Sequence, residues 1–223
     1  MRNIAVVLLS GDSTRFKCDL PKQLYHINGE PLFYYSINPF VESKIIDEIV
    51  VVSKEEYFKT IQGRFSRVDK KINYVKGGVT RHESVKNAVN YLKDKISLDD
   101  NVLVHDGARL CLDDTLIKNL VDALKKYEAA TLALPSEDTL GVIADGVITT
   151  IPDRSKYVKI QTPQAFKFKT LLKAHESDDK EASDDAQLCL KLGIKVALVT
   201  GSKKLNKITT IEDIDAVKQY IKE

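Results

Sequence analysis

Short β-branched runs alternate along this chain with longer stretches whose apolar residues recur at three- and four-residue spacing, and that alternation narrows the fold before any motif is considered. Residues 4–9, 48–52, 72–75, 102–105, 130–134 and 195–199 read as strands. Several of these are nearly continuous apolar runs, the pattern of strands covered on both faces. Helices are predicted at 31–40, 55–65, 81–95, 115–127, 167–174, 184–191 and 211–221, with Thr80–Glu83 and Thr210–Asp213 as capping boxes. Strands alternating with helices need crossover connections. The expected architecture is therefore α/β, a Rossmann-like, mainly parallel sheet with helices on both faces.

Composition bounds what such a fold can do. With 223 residues, 43% hydrophobic and 30% charged, the chain suits one sizeable domain spanning 1–223 and lies far from the disordered regime. A formal net charge of +2 argues against a nucleic-acid or membrane-surface partner, so anion binding must come from locally placed Arg and Lys. Cys18, Cys111 and Cys189 are odd in number and form no Cys-x-x-Cys, which points to reduced thiols and a cytoplasmic setting. The longest uninterrupted apolar run, residues 4–9, is too short for a membrane span, and no small-residue cleavage site follows it.

One stretch departs from the alternation. Residues 140–151 read as a β-hairpin turning at Asp145-Gly146. It either extends the edge of the sheet or, the favoured reading, forms part of an arm (136–158) that projects to pair with another subunit.

Three segments at predicted strand ends can carry chemistry, because open α/β sheets bind ligands beyond the carboxyl ends of their strands. After the first strand comes Ser10-Gly11-Asp12-Ser13-Thr14-Arg15, then Pro21-Lys22-Gln23. This is neither a dinucleotide fingerprint nor a P-loop. It offers Gly11 for close approach and Arg15 and Lys22 as phosphate-binding cations. Taken alone, it would be two solvated basic residues. The second segment, Gly77-Gly78-Val79-Thr80-Arg81-His82-Glu83-Ser84, precedes a capped helix whose free N–H groups suit an electronegative ligand edge. Gly78 and the Ser84 hydroxyl are candidates for reading a pyrimidine base. The third, His105-Asp106-Gly107-Ala108-Arg109, places a carboxylate at the binding edge. There Asp106 can hold Mg²⁺ while substrate phosphates supply other ligands, and Arg109 can meet an anionic or hydroxyl-rich substrate. His105 reads as a structural strand-end residue rather than a base. The Asp184-Asp185 pair near a helix start is most simply explained as dipole compensation.

The ordered set of these pieces resembles the 2-C-methyl-D-erythritol 4-phosphate cytidylyltransferase family and its relative, ribitol-5-phosphate cytidylyltransferase. The pieces are Gly11 and Arg15, Pro21-Lys22-Gln23, Gly77-Gly78 with Arg81 and Ser84, His105-Asp106 with Arg109, Asp138-Thr139, Asp153-Arg154, Thr162-Pro163-Gln164, Ser183-Asp184-Asp185-Ala186, and Lys207 with Thr209. The resemblance implies that Arg15, Lys22, Lys207 and Arg154 act in catalysis. It assigns Gly11, Gly78, Ser84 and Asp106 to the nucleotide. Arg109, Thr139, Thr162 and Ser183 would bind the sugar phosphate. The implied substrates are CTP and a small polyol phosphate, with Mg²⁺ or another divalent cation on Asp106, and the implied assembly is a homodimer exchanging its arms. Methylerythritol phosphate is the expected acceptor because His105-Asp106-Gly107-Ala108-Arg109 lies nearer that branch; ribitol 5-phosphate is the alternative, and a catalytically inactive nucleotide-binding module the reading from another class. The chain departs from the family pattern at Leu8-Leu9-Ser10, where smaller residues are usual, and at Val79, where Asp is common. Some chains of this kind carry a fused second enzyme; with its end at Glu223, none is expected here.

Overall fold

The strand β1 (Asn3–Leu8) lies deep inside a seven-stranded sheet, hydrogen-bonded in parallel to β4 (Glu48–Ser53) on one side and β6 (Asn101–Asp106) on the other. The computed structural model describes residues 1–18, 20–176 and 182–221. Beyond β4 lies β5 (Lys71–Lys76). Beyond β6 come β10 (Val158–Lys167), β7 (Ala129–Pro135) and the edge strand β11 (Val196–Thr200). Two short strands, β2 (His26–Ile27) and β3 (Glu30–Pro31), form a separate ribbon. All six strands expected in the sheet are present, and their pairings with one another are parallel; β10 stands between β6 and β7 and runs antiparallel to both.

Strand alternation sends successive side chains to opposite faces, and each face has its own core. Ala5, Val7, Ile49, Val51 and Leu103 pack under α1 (Leu32–Glu42), α2 (Phe58–Arg64) and α4 (Asp114–Ala123). Ile4, Val6, Val50, Val52, Val102 and Val104 pack under α3 (Arg81–Leu92), α5 (Phe168–Glu176) and α6 (Asp185–Lys191). The side chains of Thr80, Asp113 and Asp184 cap α3, α4 and α6 by accepting a first-turn N–H. At Thr80 only this half of the capping box forms, because Glu83 accepts from the Val79 N–H instead. The last helix, α7 (Asp213–Lys218), is shorter than predicted, and Asp213 accepts from the N–H groups of Thr209 and Thr210.

Strand β10 was not anticipated, because Pro163 argues against a central strand. The sheet accommodates the proline at an irregularity: Gln161 pairs with Leu132 and Gln164 with Thr131, leaving Thr162 and Pro163 between them. The strand runs antiparallel to both neighbours. This brings the Thr162 hydroxyl against the end of β6.

Strands β8 (Val142–Ala144) and β9 (Val147–Thr150) form the expected hairpin. Asp145 and Gly146 both have positive φ (50° and 79°), as a two-residue turn of the I′ kind demands. The hairpin is a two-stranded sheet of its own and does not extend the larger one.

Candidate active site

Three loops converge beyond the carboxyl ends of β1, β5 and β6 around a cleft of about 190 Å³. Of the expected site residues, Gly11, Lys22, Gly78, Ser84, Asp106 and Lys207 line it. The loops approach each other too closely for side chains at the glycines. A Cβ on Gly77 would lie 2.2 Å from the Cβ of Ser10, and one on Gly78 would lie 2.2 Å from that of Glu83. Gly11 is different, since a Cβ there would meet nothing within 4 Å, so its bare backbone leaves open space on the cleft side.

The Ser84 hydroxyl, almost wholly buried, ties this region together. It accepts from the Gly78 N–H at 3.1 Å, donates to the Thr80 carbonyl at 2.9 Å and lies 2.8 Å from the Ser10 hydroxyl. The position of Gly78 relative to the first loop is thereby fixed by one side chain.

Asp106 is the electrostatic centre. Its Oδ1 accepts from Arg81 Nε at 3.0 Å and its Oδ2 from Lys207 Nζ at 2.8 Å. Its backbone N–H donates to Thr162 Oγ1 at 3.0 Å. Burial alone would raise the pKa of this carboxyl, but the Arg81 and Lys207 charges outweigh it and hold the group well below the usual carboxylate range. Lys22 shows the opposite pressure. Burial, then the nearby charges of Lys207 and Arg15, lower its pKa while its ammonium donates to the Ile208 carbonyl at 2.8 Å. Lys22 and Lys207 stand together at the cleft wall, with the exposed Arg15 outside the lining but near enough to act on Lys22, an arrangement that an anionic ligand relieves.

Arg15, Arg109 and Lys207 share an anchor. Phe16, Leu110 and Ile208 belong to a satellite cluster with Ile27, Leu32, Ile214 and Val217. Each is the immediate neighbour of a basic residue: Arg15, Arg109 and Lys207 respectively. The apolar neighbour is buried in each case, whereas Arg15 and Lys207 are exposed and Arg109 is half-buried.

The remaining expected residues are dispersed. Arg109 donates to the carbonyls of Leu205 (2.6 Å) and Ile160 (3.5 Å), behind the Asp106 strand end. Thr162 is buried and committed to Asp106. Ser183 is exposed beside the cap of α6, bonded to Gln187. Thr139 and Arg154 are exposed at the base of the hairpin, where Arg154 donates to the Glu137 carbonyl at 2.8 Å. None of these five lines the cleft, and neither does Arg15, which is exposed beside it. His105 bonds through Nε2 to the Arg109 carbonyl, and burial pushes its pKa down to about 4, so it is a neutral structural residue as expected.

Arg81 and Asp185 carry more than the sequence suggested. Asp185 is not a solvated dipole-compensating charge: it is buried, holds Arg81 Nη1 at 2.8 Å and accepts from His175 Nε2 at 2.8 Å. A signal for Arg81 existed, because a cation at the first position of a helix opposes the helix dipole and needs a reason to be there.

Among the described residues no cluster of three His, Cys, Asp or Glu side chains can cage a metal. Among the described residues, Asp106 is the only carboxylate lining the cleft. A lone carboxylate suits a magnesium ion that draws most of its ligands from phosphate oxygens and water.

The model of the IspD family, 2-C-methyl-D-erythritol 4-phosphate cytidylyltransferase, matches residues 3–223. The chain belongs to this family. A 2-C-methyl-D-erythritol 4-phosphate cytidylyltransferase of Thermosipho melanesiensis is 39% identical over 216 residues, covering 95% of this chain and 94% of its own. That of Thermosipho africanus is 36% identical over 214 residues, with the same coverage. The solved structure of the Francisella tularensis IspD superposes with a TM-score of 0.84 at 28% identity, covering 99% of this chain and 100% of that one. The ribitol-5-phosphate alternative is not favoured by these relatives.

Proposed function

We infer that the chain transfers the cytidylyl group of CTP to 2-C-methyl-D-erythritol 4-phosphate, releasing pyrophosphate, in non-mevalonate isoprenoid precursor biosynthesis. The observation that carries this reading is the pairing of Lys22 and Lys207 at a cleft whose one carboxylate among the described residues is Asp106, with Arg15 close by, in a chain of this family.

The chemistry suits such a site. The attacking group is a phosphate oxygen, already ionised at neutral pH, so no general base is required. The obstacle is bringing one phosphate anion up to another. Fixed cations lower that repulsion and stabilise charge developing on the α-phosphate and the leaving pyrophosphate. Arg15 and Lys22 would hold the triphosphate, with Lys207 reaching the α-phosphate once it leaves Asp106. Gly78 would meet the cytosine edge, with Ser84 setting the shape of the loop. Asp106 would hold a magnesium ion, which when bound neutralises phosphate charge.

Arg109, Thr139, Arg154, Thr162 and Ser183 are proposed to serve the sugar phosphate. Arg154 and Thr139 stand at the hairpin base, whose apolar residues are exposed, Ile143 at 71% and Ile148 at 68%. Exposed apolar strands favour a second copy as their cover. A homodimer whose arms complete the neighbouring site is proposed on that support. A cytoplasmic location is likewise proposed; no helix among the described residues is long and apolar enough to cross a membrane.

The test is pyrophosphate release with CTP and each polyol phosphate in parallel, with and without excess EDTA. Release with methylerythritol phosphate, abolished by chelation, is expected. Release with ribitol 5-phosphate alone would reverse the acceptor assignment, and full activity in EDTA would remove the metal.

A further inference from the structure

The Arg81 guanidinium stands between two carboxylates and divides its donors between them. Nε goes to Asp106 Oδ1 and Nη1 to Asp185 Oδ2, while Nη2 is buried with no partner. An unconstrained arginine beside a carboxylate grips both oxygens with two parallel N–H bonds. Here that grip on Asp106 is withheld, and Asp106 Oδ2 is left to face Lys207. What withholds it is Asp185, itself immobilised. Its Oδ1 accepts from His175 Nε2, and both side chains are about 1% exposed. The first turn of α6 that carries Asp185 is docked on β10 through Gln164, which donates to Asp184 Oδ2 at 2.9 Å and accepts from the Ala186 N–H at 3.1 Å.

We propose that Asp185 and His175 are positioning residues of the nucleotide cleft, acting through Arg81 to keep one oxygen of Asp106 clear of the guanidinium, on Lys207 and the ligand side. Alternating charges run from Lys207 through Asp106 and Arg81 to Asp185, and His175 closes the chain. Released from Asp185, the guanidinium can turn its Nε and Nη2 edge onto both oxygens of Asp106. That turn withdraws Oδ2 from Lys207 and from anything bound in the cleft. The effect falls on ligand binding more than on turnover, because Asp185 and His175 do not touch the cleft. The inference rests on the nucleotide reading given above.

The experiment is CTP binding by titration calorimetry, without the second substrate, beside the KM for CTP and kcat. Asp185→Asn keeps the volume and removes the charge. It is expected to weaken CTP binding and raise KM about tenfold, a coupling of about 1.4 kcal/mol, with kcat changed by less than about threefold. His175→Gln, which can still donate to Asp185, is expected to bind CTP like the unaltered protein, and His175→Ala to show part of the loss. In an Arg81→Gln background, Asp185→Asn should add nothing. Folding of each variant is checked by its thermal transition. If Asp185→Asn does not fold, the His175 pair decides: equal binding by His175→Ala and His175→Gln overturns the proposal. A folded Asp185→Asn with unchanged CTP affinity overturns it too, as does an equal further loss in the Arg81→Gln background. Failure of the unaltered protein to bind CTP would instead strike the functional reading itself.

Discussion

The cleft and the base of the hairpin hold the two halves of the expected site, and they are built in opposite ways. In the cleft, Asp106, Arg81, Ser84 and Lys22 each have two or more partners or are tied across more than sixty residues of sequence, and the supporting groups are buried. At the hairpin base, Thr139 and Arg154 are exposed, and Arg154 bonds to a carbonyl 17 residues away. The first half is organised by the chain's own core. The second holds its candidate groups without the surroundings that give a charged side chain its strength, since exposed ion pairs and hydrogen bonds are worth little in water. The contrast is what a site shared between two chains would produce.

The largest expected effect sharpens the first half. Lys22→Ala and Arg15→Ala should each lower kcat by about 10²–10³ while leaving the thermal transition unchanged, because neither is a core residue. A folded variant of either with near-normal turnover removes that cation from the mechanism. The next test is aimed at the second half. Lys22→Ala and Arg154→Ala proteins, each nearly inactive, should regain roughly a quarter of the normal number of active sites when mixed and allowed to exchange subunits, since half the dimers are mixed and each carries one intact site. Exchange is verified with two affinity tags, and verified mixed dimers without activity would show that Arg154 serves its own chain.

A third measurement probes the buried half through pH. The folded pKa of His105, about 4, lies below the ordinary value near 6.5. As pH falls, the unfolded chain takes up this proton first, so folding stability drops between about 6.5 and 4, by roughly 3 kcal/mol in total. His105→Gln should flatten that part of the urea-denaturation profile. An identical slope would mean His105 titrates normally in the fold. The smallest effect belongs to the hairpin. Ile143→Ser and Ile148→Ser should change the stability of the separate chain by no more than about 0.5 kcal/mol. Both should nevertheless weaken self-association in sedimentation experiments. Association unaltered by the pair would break the link between the hairpin and a second copy.

Much of the fold was legible because hydrophobic periodicity is written locally. The strand runs around Val6, Val50 and Val104 and the turn at Asp145-Gly146 are where their residue types put them. Gly11, Lys22, Gly78 and Asp106 could be placed at one edge because an open α/β sheet sends the loops after β1, β5 and β6 there, whereas Lys207, which follows β11, was placed with them only by the resemblance. Strand β10 was not, since Pro163 masks it and only pairing on both sides with β6 and β7 makes an extended conformation favourable there. Asp185 was misread for a related reason. An acidic residue at the start of a helix has a sufficient local explanation, and nothing within ten residues reveals that Arg81, more than a hundred positions earlier, lies against it.

The sequence by itself determined most of the strands and helices, β10 excepted, which face of each is apolar, and which residue types stand at the strand ends. These follow from side-chain volume, branching and periodicity, which act over a few residues. Only the tertiary structure decided how charge is shared: that Lys207 and Arg81 take one oxygen each of Asp106, that Asp185 holds Arg81 to that division, and that Thr162 braces the strand end from behind. Those outcomes depend on distances between groups remote in sequence and on the removal of water from around them. Both are set when the sheet closes and the helices pack on it.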